Sequence, residues 1–534
     1  MNSDSTKQLN AFELKQEISR LANVIEENTV LIEQTEFSLL DNQKDKDLIV
    51  KIALKEFSRG QEKMMPALKI ILIRYGKKNS LISPLEEIIK NADNSNDLKL
   101  HAIEVIELID PMKRNEGWYD KYLNYDEDLI REETENIARL AQQSPEIQID
   151  FLDFYKMLGE EDKELFIQSF ANEENPANYA NLLTPLFLSN TNLTNIAREI
   201  LKLLGSSKSI YAYKALNEVY EYLPDDIKPA VKRCLNELKL SGVTMQIANE
   251  KKEPLKGDFY IIPPDGEGRT TLIYQAPSPQ ELDKILILGI VLDDYFGIKE
   301  CLGFMAISEF EASVLFGKLL GTNPKTKIPP DVFKMLIKNA EKLTYTTKTA
   351  PIAEYNCWKN LFIDIEPADF DIKELIKSKS ENIKLTNEDL ETVFNDDISM
   401  PWFYEENFGD ETENFFAELN SMLKYKSLDE IDIEGYVKTG IKSVLYKDER
   451  EKWTERLILS AYCKYLDNDK KMMNILYSLS QDEAALNELY LFILRQSVFQ
   501  YFLSMLTEEN YLIYDKETLE ANLSYLSGIW GFYV

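Results

Sequence analysis

The chain has 534 residues, and its 61 lysines and arginines face 92 aspartates and glutamates, which gives a formal net charge of −31. At roughly 100–200 residues per domain this length allows about three or four structural units, and the 44% of apolar residues exclude wholesale disorder. Such acidity argues against nucleic acid and anionic membranes as partners, because both would be repelled.

From Ala11 to about Leu240 the sequence predicts helices almost without interruption. Apolar residues recur three and four positions apart in bursts of roughly 11–16 residues, separated by short polar turns. Strand-like alternation does not occur in this part of the sequence. The clearest predicted helices are Ala67–Tyr75, Leu98–Ile109, Ile196–Leu204, Ala212–Tyr222 and Ile227–Leu238.

Some of these helices share a register at an offset of 34 residues. A repeat of two short antiparallel helices has such a period, because each pair leaves an apolar face that the next pair covers. The aligned sets are Leu68, Leu72 and Tyr75 with Ala102, Ile106 and Ile109, and Ala197, Leu201 and Leu204 with Val231, Leu235 and Leu238.

The segments Ile196–Gly205 and Pro229–Leu238 resemble successive HEAT-like repeats. The resemblance covers roughly residues 45–242 and implies an α-solenoid, which we assign to a helical-repeat domain over 1–242. HEAT-like families mostly serve as interaction scaffolds, and their repeats supply no catalytic residues. An irregular helical bundle is the alternative for the same pattern.

A β-rich region begins near Gly257. Runs of β-branched and aromatic residues flank a Gly-rich turn, which is typical of a hairpin, and the apolar run after them predicts a buried strand. The predicted elements are strands over 258–263, 270–275 and 284–292 and helices over 308–320 and 330–343. We therefore predict a small α+β domain over residues 257–365.

Residues 366–426 are predicted to be an acidic-aromatic linker. Between Lys384 and Lys424 no basic residue occurs, whereas eleven acids do. Helical periodicity returns after this segment, and residues 427–534 are predicted to form a C-terminal helical domain. The fold class is therefore mainly α, a HEAT-like solenoid with an inserted α+β domain and a C-terminal helical region.

The hairpin turn Asp265–Arg269 is the first candidate site. A Gly-rich turn can present backbone N–H groups to a phosphate, with Arg269 as the counter-charge. Glu267 lies inside the turn and would oppose an anion. The alternative is a plain hairpin turn.

Asp293 and Asp294, at the end of the predicted buried strand, are the second candidate. Adjacent carboxylates could bind a hard cation such as Mg²⁺. Successive strand residues point to opposite faces, however, so the two side chains need not converge. The alternative is a polar stop to an apolar strand, and we assign no metal site.

The third candidate is the acidic-aromatic stretch 385–423, with Trp402, Phe403 and Tyr404 as its binding residues. Aromatic anchors among acids are suited to docking a basic partner, since the acids steer it and the rings pack against its cations. The alternative is a linker whose aromatic residues hold it against its neighbours. A basic cluster from Lys442 to Arg456 is interleaved with acids, and helix ion pairs account for it.

The residue inventory excludes several kinds of catalysis. His101 is the only histidine, so a Ser-His-Asp or Cys-His arrangement would depend on it alone, and its neighbours place it beside an apolar helical stripe. No Cys-x-x-Cys pair, P-loop or dinucleotide-binding glycine motif occurs, so no cofactor is expected. The dispersed cysteines are Cys234, Cys301, Cys357 and Cys463.

The sequence predicts a cytoplasmic protein. Its first eight residues are polar and lack the apolar core of a signal peptide. The longest apolar run near the middle of the chain, 285–292, is far shorter than the roughly 20 residues that cross a bilayer. Dispersed cysteines agree with a reducing compartment.

Our first hypothesis is a non-enzymatic cytosolic scaffold or adaptor that binds another protein through helical-repeat surfaces. Its partner would be a protein, with a basic segment as the best match to the acidic surface, and neither nucleic acid nor membrane is expected. The alternative is an enzyme with a carboxylate or metal site in the domain 257–365. The sequence leaves the oligomeric state open.

Overall fold

The computed structural model describes residues 8–27, 37–110, 113, 118–122, 140, 144–170, 179–190, 194–244, 255–320, 325–347, 352–444, 447–507 and 514–532. These residues are mainly helical, with one small antiparallel sheet of five strands. The chain divides into two compact units, Met1–Ile137 with Ile307–Ser313, and Ala138–Ala306 with Val314–Val534. The division falls inside the segment 1–242 that was predicted as one helical domain.

Helices of the first unit enclose one apolar core. They are α1 (Ala11–Glu27), α2 (Ser38–Asp41), α3 (Lys46–Phe57), α4 (Met65–Tyr75), α5 (Lys78–Lys90), α6 (Asn96–Ile109) and α7 (Trp118–Tyr122). Asp45 and Ser95 begin α3 and α6, because each side chain accepts a backbone N–H of the first helical turn. Helix α4 packs against α6. The aligned residues buried in this core are Leu68, Leu72, Ala102 and Ile106.

The second unit begins with a further set of helices. They are α8 (Pro145–Met157), α9 (Glu160–Ser169), α10 (Ala180–Ser189), α11 (Asn195–Ser206), α12 (Ile210–Val219) and α13 (Lys228–Leu240). Thr194 and Ser209 are the N-caps of α11 and α12. Helix α11 packs against α13, and all six residues aligned between these two helices are buried. The 34-residue offset thus relates helices that touch.

The five strands form a sheet in the order β4-β3-β2-β1-β5. They are β1 (Asp258–Ile262), β2 (Arg269–Pro277), β3 (Ile285–Asp293), β4 (Gly297–Ile307) and β5 (Thr326–Lys327). Strands β1 and β2 pair antiparallel with Phe259 opposite Tyr274, which confirms the predicted hairpin, and β3 confirms the predicted buried strand. Strands β4 and β5, at the two edges of the sheet, were not predicted.

The remaining helices follow the sheet in the chain. They are α14 (Glu309–Leu320), α15 (Pro330–Thr346), α16 (Ala353–Trp358), α17 (Ile372–Lys379), α18 (Asn387–Phe394), α19 (Asp410–Leu423), α20 (Ile433–Val444), α21 (Lys447–Leu466), α22 (Lys470–Gln481), α23 (Glu483–Thr507) and α24 (Lys516–Trp530). Helices α17 to α19 lie in the segment 366–426. Their residues Ile376, Val393 and Phe416 are buried in the same core as the C-terminal helices.

A buried network of charged side chains joins α12 to the layer of helices beside the sheet. Lys334 of α15 contacts Glu218 of α12 at 2.6 Å, and Lys359 contacts both Glu218, at 3.3 Å, and Glu341. Burial opposes the charge of Lys359, but the two carboxylates outweigh it and raise the pKa of this lysine. Two cations therefore neutralise two anions, which is what makes their burial tolerable.

Helix α23 is, by length and composition, the one helix among the described residues that could cross a membrane. Of its most apolar window, 67% is buried inside the protein. Core helices pass the same test, so this helix is weak evidence for a membrane segment.

Leu204→Ala tests the packing of α11 on α13. Leu204 is fully buried, so we expect the free energy of unfolding of the second unit to fall by about 2–5 kcal/mol. Leu240→Ala is the matched control, because this leucine of α13 is 89% exposed, and its effect should stay within about 0.5 kcal/mol. Thermal unfolding of both variants measures the difference, and equal midpoints would contradict the described packing.

Candidate functional site

The three candidate segments meet in one place in the second unit. The turn Asp265–Arg269 lies between the other two, because the Gly266 N–H donates to the Pro401 carbonyl at 2.8 Å. On its other side the Asp294 N–H donates to the Gly268 carbonyl at 3.2 Å. The sequence treats these segments as separate, and the fold brings them into contact.

The turn is stabilised by its own first residue. Oδ1 of Asp265 accepts the backbone N–H groups of Glu267, at 2.9 Å, and Arg269, at 2.8 Å. Gly268 has a φ of +81°, a left-handed conformation that favours glycine. Asp265 therefore consumes the N–H groups that a phosphate would need, so the turn is a poor anion site.

Asp293 and Asp294 point to different partners. Oδ1 of Asp293 accepts the N–H groups of Tyr295 and Phe296, which closes the turn after β3. Both oxygens of Asp294 instead accept hydrogen bonds from Arg456, at 2.7 and 3.2 Å. The pair therefore does not converge on one ion. Among the described residues, no group of three or more potential ligand side chains could hold a metal ion.

Arg456 of α21 is the centre of a buried polar cluster. Its guanidinium pairs with Asp294 and Glu449, and it also donates to the Gly266 carbonyl at 3.0 Å. Glu449 accepts further hydrogen bonds from the hydroxyls of Tyr295 and Tyr404. Burial raises the pKa of Asp294, although the charge of Arg456 opposes this shift.

Trp402 and Tyr404 lie in the core, each only 1% exposed. The Trp402 ring packs edge-on against Trp453 at 5.5 Å, and the Trp453 N–H donates to the Tyr404 hydroxyl at 2.7 Å. These two aromatic residues hold the predicted acidic-aromatic linker, residues 366–426, here called the acidic segment, against α21. They offer no exposed docking surface. Phe403, which lies between them, points the other way and lines a cleft.

We call this cleft the acidic-aromatic cleft. It has a volume of about 580 Å³. Four carboxylates, one guanidinium and five phenylalanine rings contribute to its walls. The charged residues are Asp265, Glu267, Arg269, Asp396 and Glu405, and the rings belong to Phe394, Phe403, Phe492, Phe499 and Phe532.

The carboxylates of the cleft differ in their surroundings. Burial raises the pKa of Asp265 to about 6, against the hydrogen bonds from the turn. Burial also raises the pKa of Glu267, although Arg269 beside it opposes the shift. Asp396 pairs with Lys464 at 2.8 Å. Glu405 is exposed, and its carboxylate makes no hydrogen bond or ion pair within the described part of the chain.

A second cleft of about 770 Å³ is lined by Gly268 of the same turn. Gly268, Asp293 and Asp294 line it, together with Arg456 and apolar residues of α15 and α21. Asp294 is held by Arg456 and Asp293 by its turn, so both predicted carboxylates of this cleft are already engaged.

Sequence reasoning missed several residues of this region. Arg456 was attributed to helix ion pairs, and Lys452 does pair with Glu455 in this way. Arg456 pairs with Glu449 of its own helix and also reaches Asp294, which is 162 positions away in sequence. Local spacing carries no signal for such a partner. In the sequence, Phe492 and Phe499 belong to an apolar helical pattern, which does not indicate that their rings line a cleft.

Comparison with known proteins finds no matching family model, no similar curated protein and no matching solved structure.

Gly266→Ala tests the contact between the turn and the acidic segment. A Cβ at this position would lie under 3.0 Å from the backbone of Phe403, so the two segments must separate. We expect a loss of about 1–3 kcal/mol in stability and a red shift of tryptophan emission, because Trp402 would gain access to water.

Gly317→Ala is the control for this variant. Among the described residues, no atom outside the chain neighbours and the backbone of the helix lies within 4 Å of a Cβ added at Gly317 of α14. Alanine favours a helix over glycine by about 0.5–1 kcal/mol. Its stability should stay constant or rise, with unchanged emission. A Gly266→Ala protein that melts and fluoresces like the wild type would contradict the close approach.

Proposed function

We propose that this chain is a non-enzymatic scaffold or adaptor that binds a basic segment of a partner protein in the acidic-aromatic cleft. One observation carries the proposal: the cleft places four carboxylates beside five phenylalanine rings. Carboxylates attract a cation, and ring faces stabilise it once it is desolvated. Its volume is within the range of about 300–1,000 Å³ of ordinary ligand sites.

The charge of the whole chain supports the same partner. A net charge of −31 creates a negative potential around the protein, which accelerates the approach of basic segments and repels acidic ones. Salt screens this attraction beyond roughly 8–10 Å at physiological ionic strength. Selectivity would therefore come from the cleft, where carboxylates and rings are close to the bound cation.

We further propose that the helices of residues 45–242 are HEAT-like repeats. Support comes from the contacts of α4 with α6 in the first unit and of α11 with α13 in the second, since both pairs are related by the 34-residue offset. Repeats of this kind offer helix faces that could extend the contact with a partner protein. The proposed location is the cytoplasm.

An enzyme acting in the second cleft is the other candidate. The size of that cleft and the raised pKa of Asp294 at its wall favour it. Asp294 gives both oxygens to Arg456, however, and Oδ1 of Asp293 accepts two backbone N–H groups. We prefer the binding function, because these contacts already hold both carboxylates in place as parts of the fold.

Glu405→Gln tests the proposed binding site. The probe is a fluorescein-labelled peptide of alternating arginine and glycine, with fluorescence anisotropy of the full-length protein as the measurement. We expect about three- to fivefold weaker binding, since an exposed charge at the rim contributes modestly. The Glu405 N–H would still donate to Glu267 at 3.0 Å, so the fold should be unaffected.

Glu388→Gln controls for net charge. This exposed residue of α18 lies in the same acidic segment but does not line the cleft. This variant should bind the peptide like the wild type. A control peptide in which uncharged citrulline replaces every arginine should bind neither the wild type nor any variant. Equal losses in both variants would mean that the peptide senses only the overall charge, and the proposed site would then be wrong.

The affinity for the same peptide should rise with pH. Because the pKa of Asp265 is raised to about 6, this carboxyl is neutral at lower pH and attracts a cation only above that value. Wild type should therefore bind more tightly at about pH 7 than at about pH 5. Asp265→Asn should show a flatter dependence of affinity on pH, because an amide does not titrate in this range. Its amide oxygen can accept the same two backbone N–H groups, so the turn should be preserved. Identical profiles would contradict the assignment.

A further inference from the structure

Arg269 already places a guanidinium in the acidic-aromatic cleft. It forms an ion pair with Glu267, whose side chain is 4% exposed, whereas the Arg269 side chain is 32% exposed. Nε of Arg269 and Oε2 of Glu267 are both buried and lack a hydrogen bond of good geometry within the described residues. The pair is therefore attractive but incompletely satisfied.

Arg456 shows by contrast what a permanently held arginine looks like in this protein. Its side chain is 2% exposed, and it donates to two carboxylates and to a backbone carbonyl. Arg269 has one carboxylate partner and a third of its side chain in solvent. Its backbone belongs to β2, opposite Asp293, so its side chain can leave the cleft without any change in the sheet.

We propose that Arg269 is an internal occupant of the cleft, which an arginine side chain of the partner displaces from Glu267. This inference rests on the proposed function. The incoming guanidinium meets the same buried carboxylate, while Arg269 moves into water. One ion pair replaces another, and the contacts of the partner with the rings and with Glu405 provide the gain.

The chemistry of the cleft favours arginine over lysine as the displacing group. A planar guanidinium binds a carboxylate through two parallel N–H groups and stacks on aromatic faces, which an ammonium group cannot do. The rings of Phe394 and Phe492 stack on each other at 4.4 Å, which covers one face of each. Phe394, Phe403 and Phe532 are half-buried in the same wall, so apolar ring surface adjoins the carboxylates.

Arg269→Gln tests the displacement. Without the internal cation, the arginine-glycine peptide no longer competes for Glu267, so its affinity should rise about fivefold in the anisotropy assay. The corresponding lysine-glycine peptide should bind wild type more weakly than the arginine peptide. Arg269→Lys should give an intermediate gain, and it serves as the test if the glutamine variant does not fold by circular dichroism.

Lys384→Gln is the matched control, because it removes one positive charge from an exposed position outside the cleft. A gain in Arg269→Gln that Lys384→Gln does not share supports displacement. Unchanged or weaker binding by Arg269→Gln, or an equal gain in both variants, overturns displacement while leaving the binding site itself intact. If the peptide does not bind wild type or any variant, the proposed function fails and this inference with it.

Discussion

The guanidinium of Arg456 is the constraint on which the second unit depends. It connects α21 to the end of β3 through Asp294 and to the hairpin turn through the Gly266 carbonyl. Through Glu449 it also meets the hydroxyl of Tyr404, and so the acidic segment. Two carboxylates share one guanidinium, and tyrosine hydroxyls supply the remaining hydrogen bonds. Such a cluster gains little net stability over an apolar core, but removing either side of an ion pair would leave a buried charge unpaired.

The acidic residues of this protein have two roles, which depend on whether they are exposed or buried. Most lie on exposed helix faces, where ion pairs contribute little and the collective field steers partners. A few are buried around the hairpin turn, where desolvation raises the pKa of Asp265 and Glu267 and makes their charge costly. That cost is what gives the acidic-aromatic cleft its proposed selectivity, because a bound cation relieves it. The Arg456 cluster keeps the turn in place, so the cleft exists before any ligand arrives.

Local sequence patterns predicted an element correctly where the pattern lies within that element itself. Apolar positions three and four apart predicted α4, α6, α11 and α13, and the Gly-rich turn predicted the β1–β2 hairpin. Strand β4 was missed because it lies at the edge of the sheet, where charged residues and two glycines interrupt its alternation. The solenoid is an expectation from the repeat offset and the resemblance to HEAT-like repeats, and the observed helix contacts do not distinguish it from an irregular bundle.

The sequence by itself determined the helical character, the hairpin, the acidic charge and the residue types available to a site, because all of these depend on composition or on neighbours a few positions apart. Tertiary structure alone decided which acids and rings share a cleft. Trp402, Phe403 and Tyr404 are adjacent in sequence, yet the first and third are buried while the second reaches the cleft. Which of these side chains is buried depends on α21 and α23, dozens of residues away in sequence. Burial is therefore set by distant partners and not by the residue type itself.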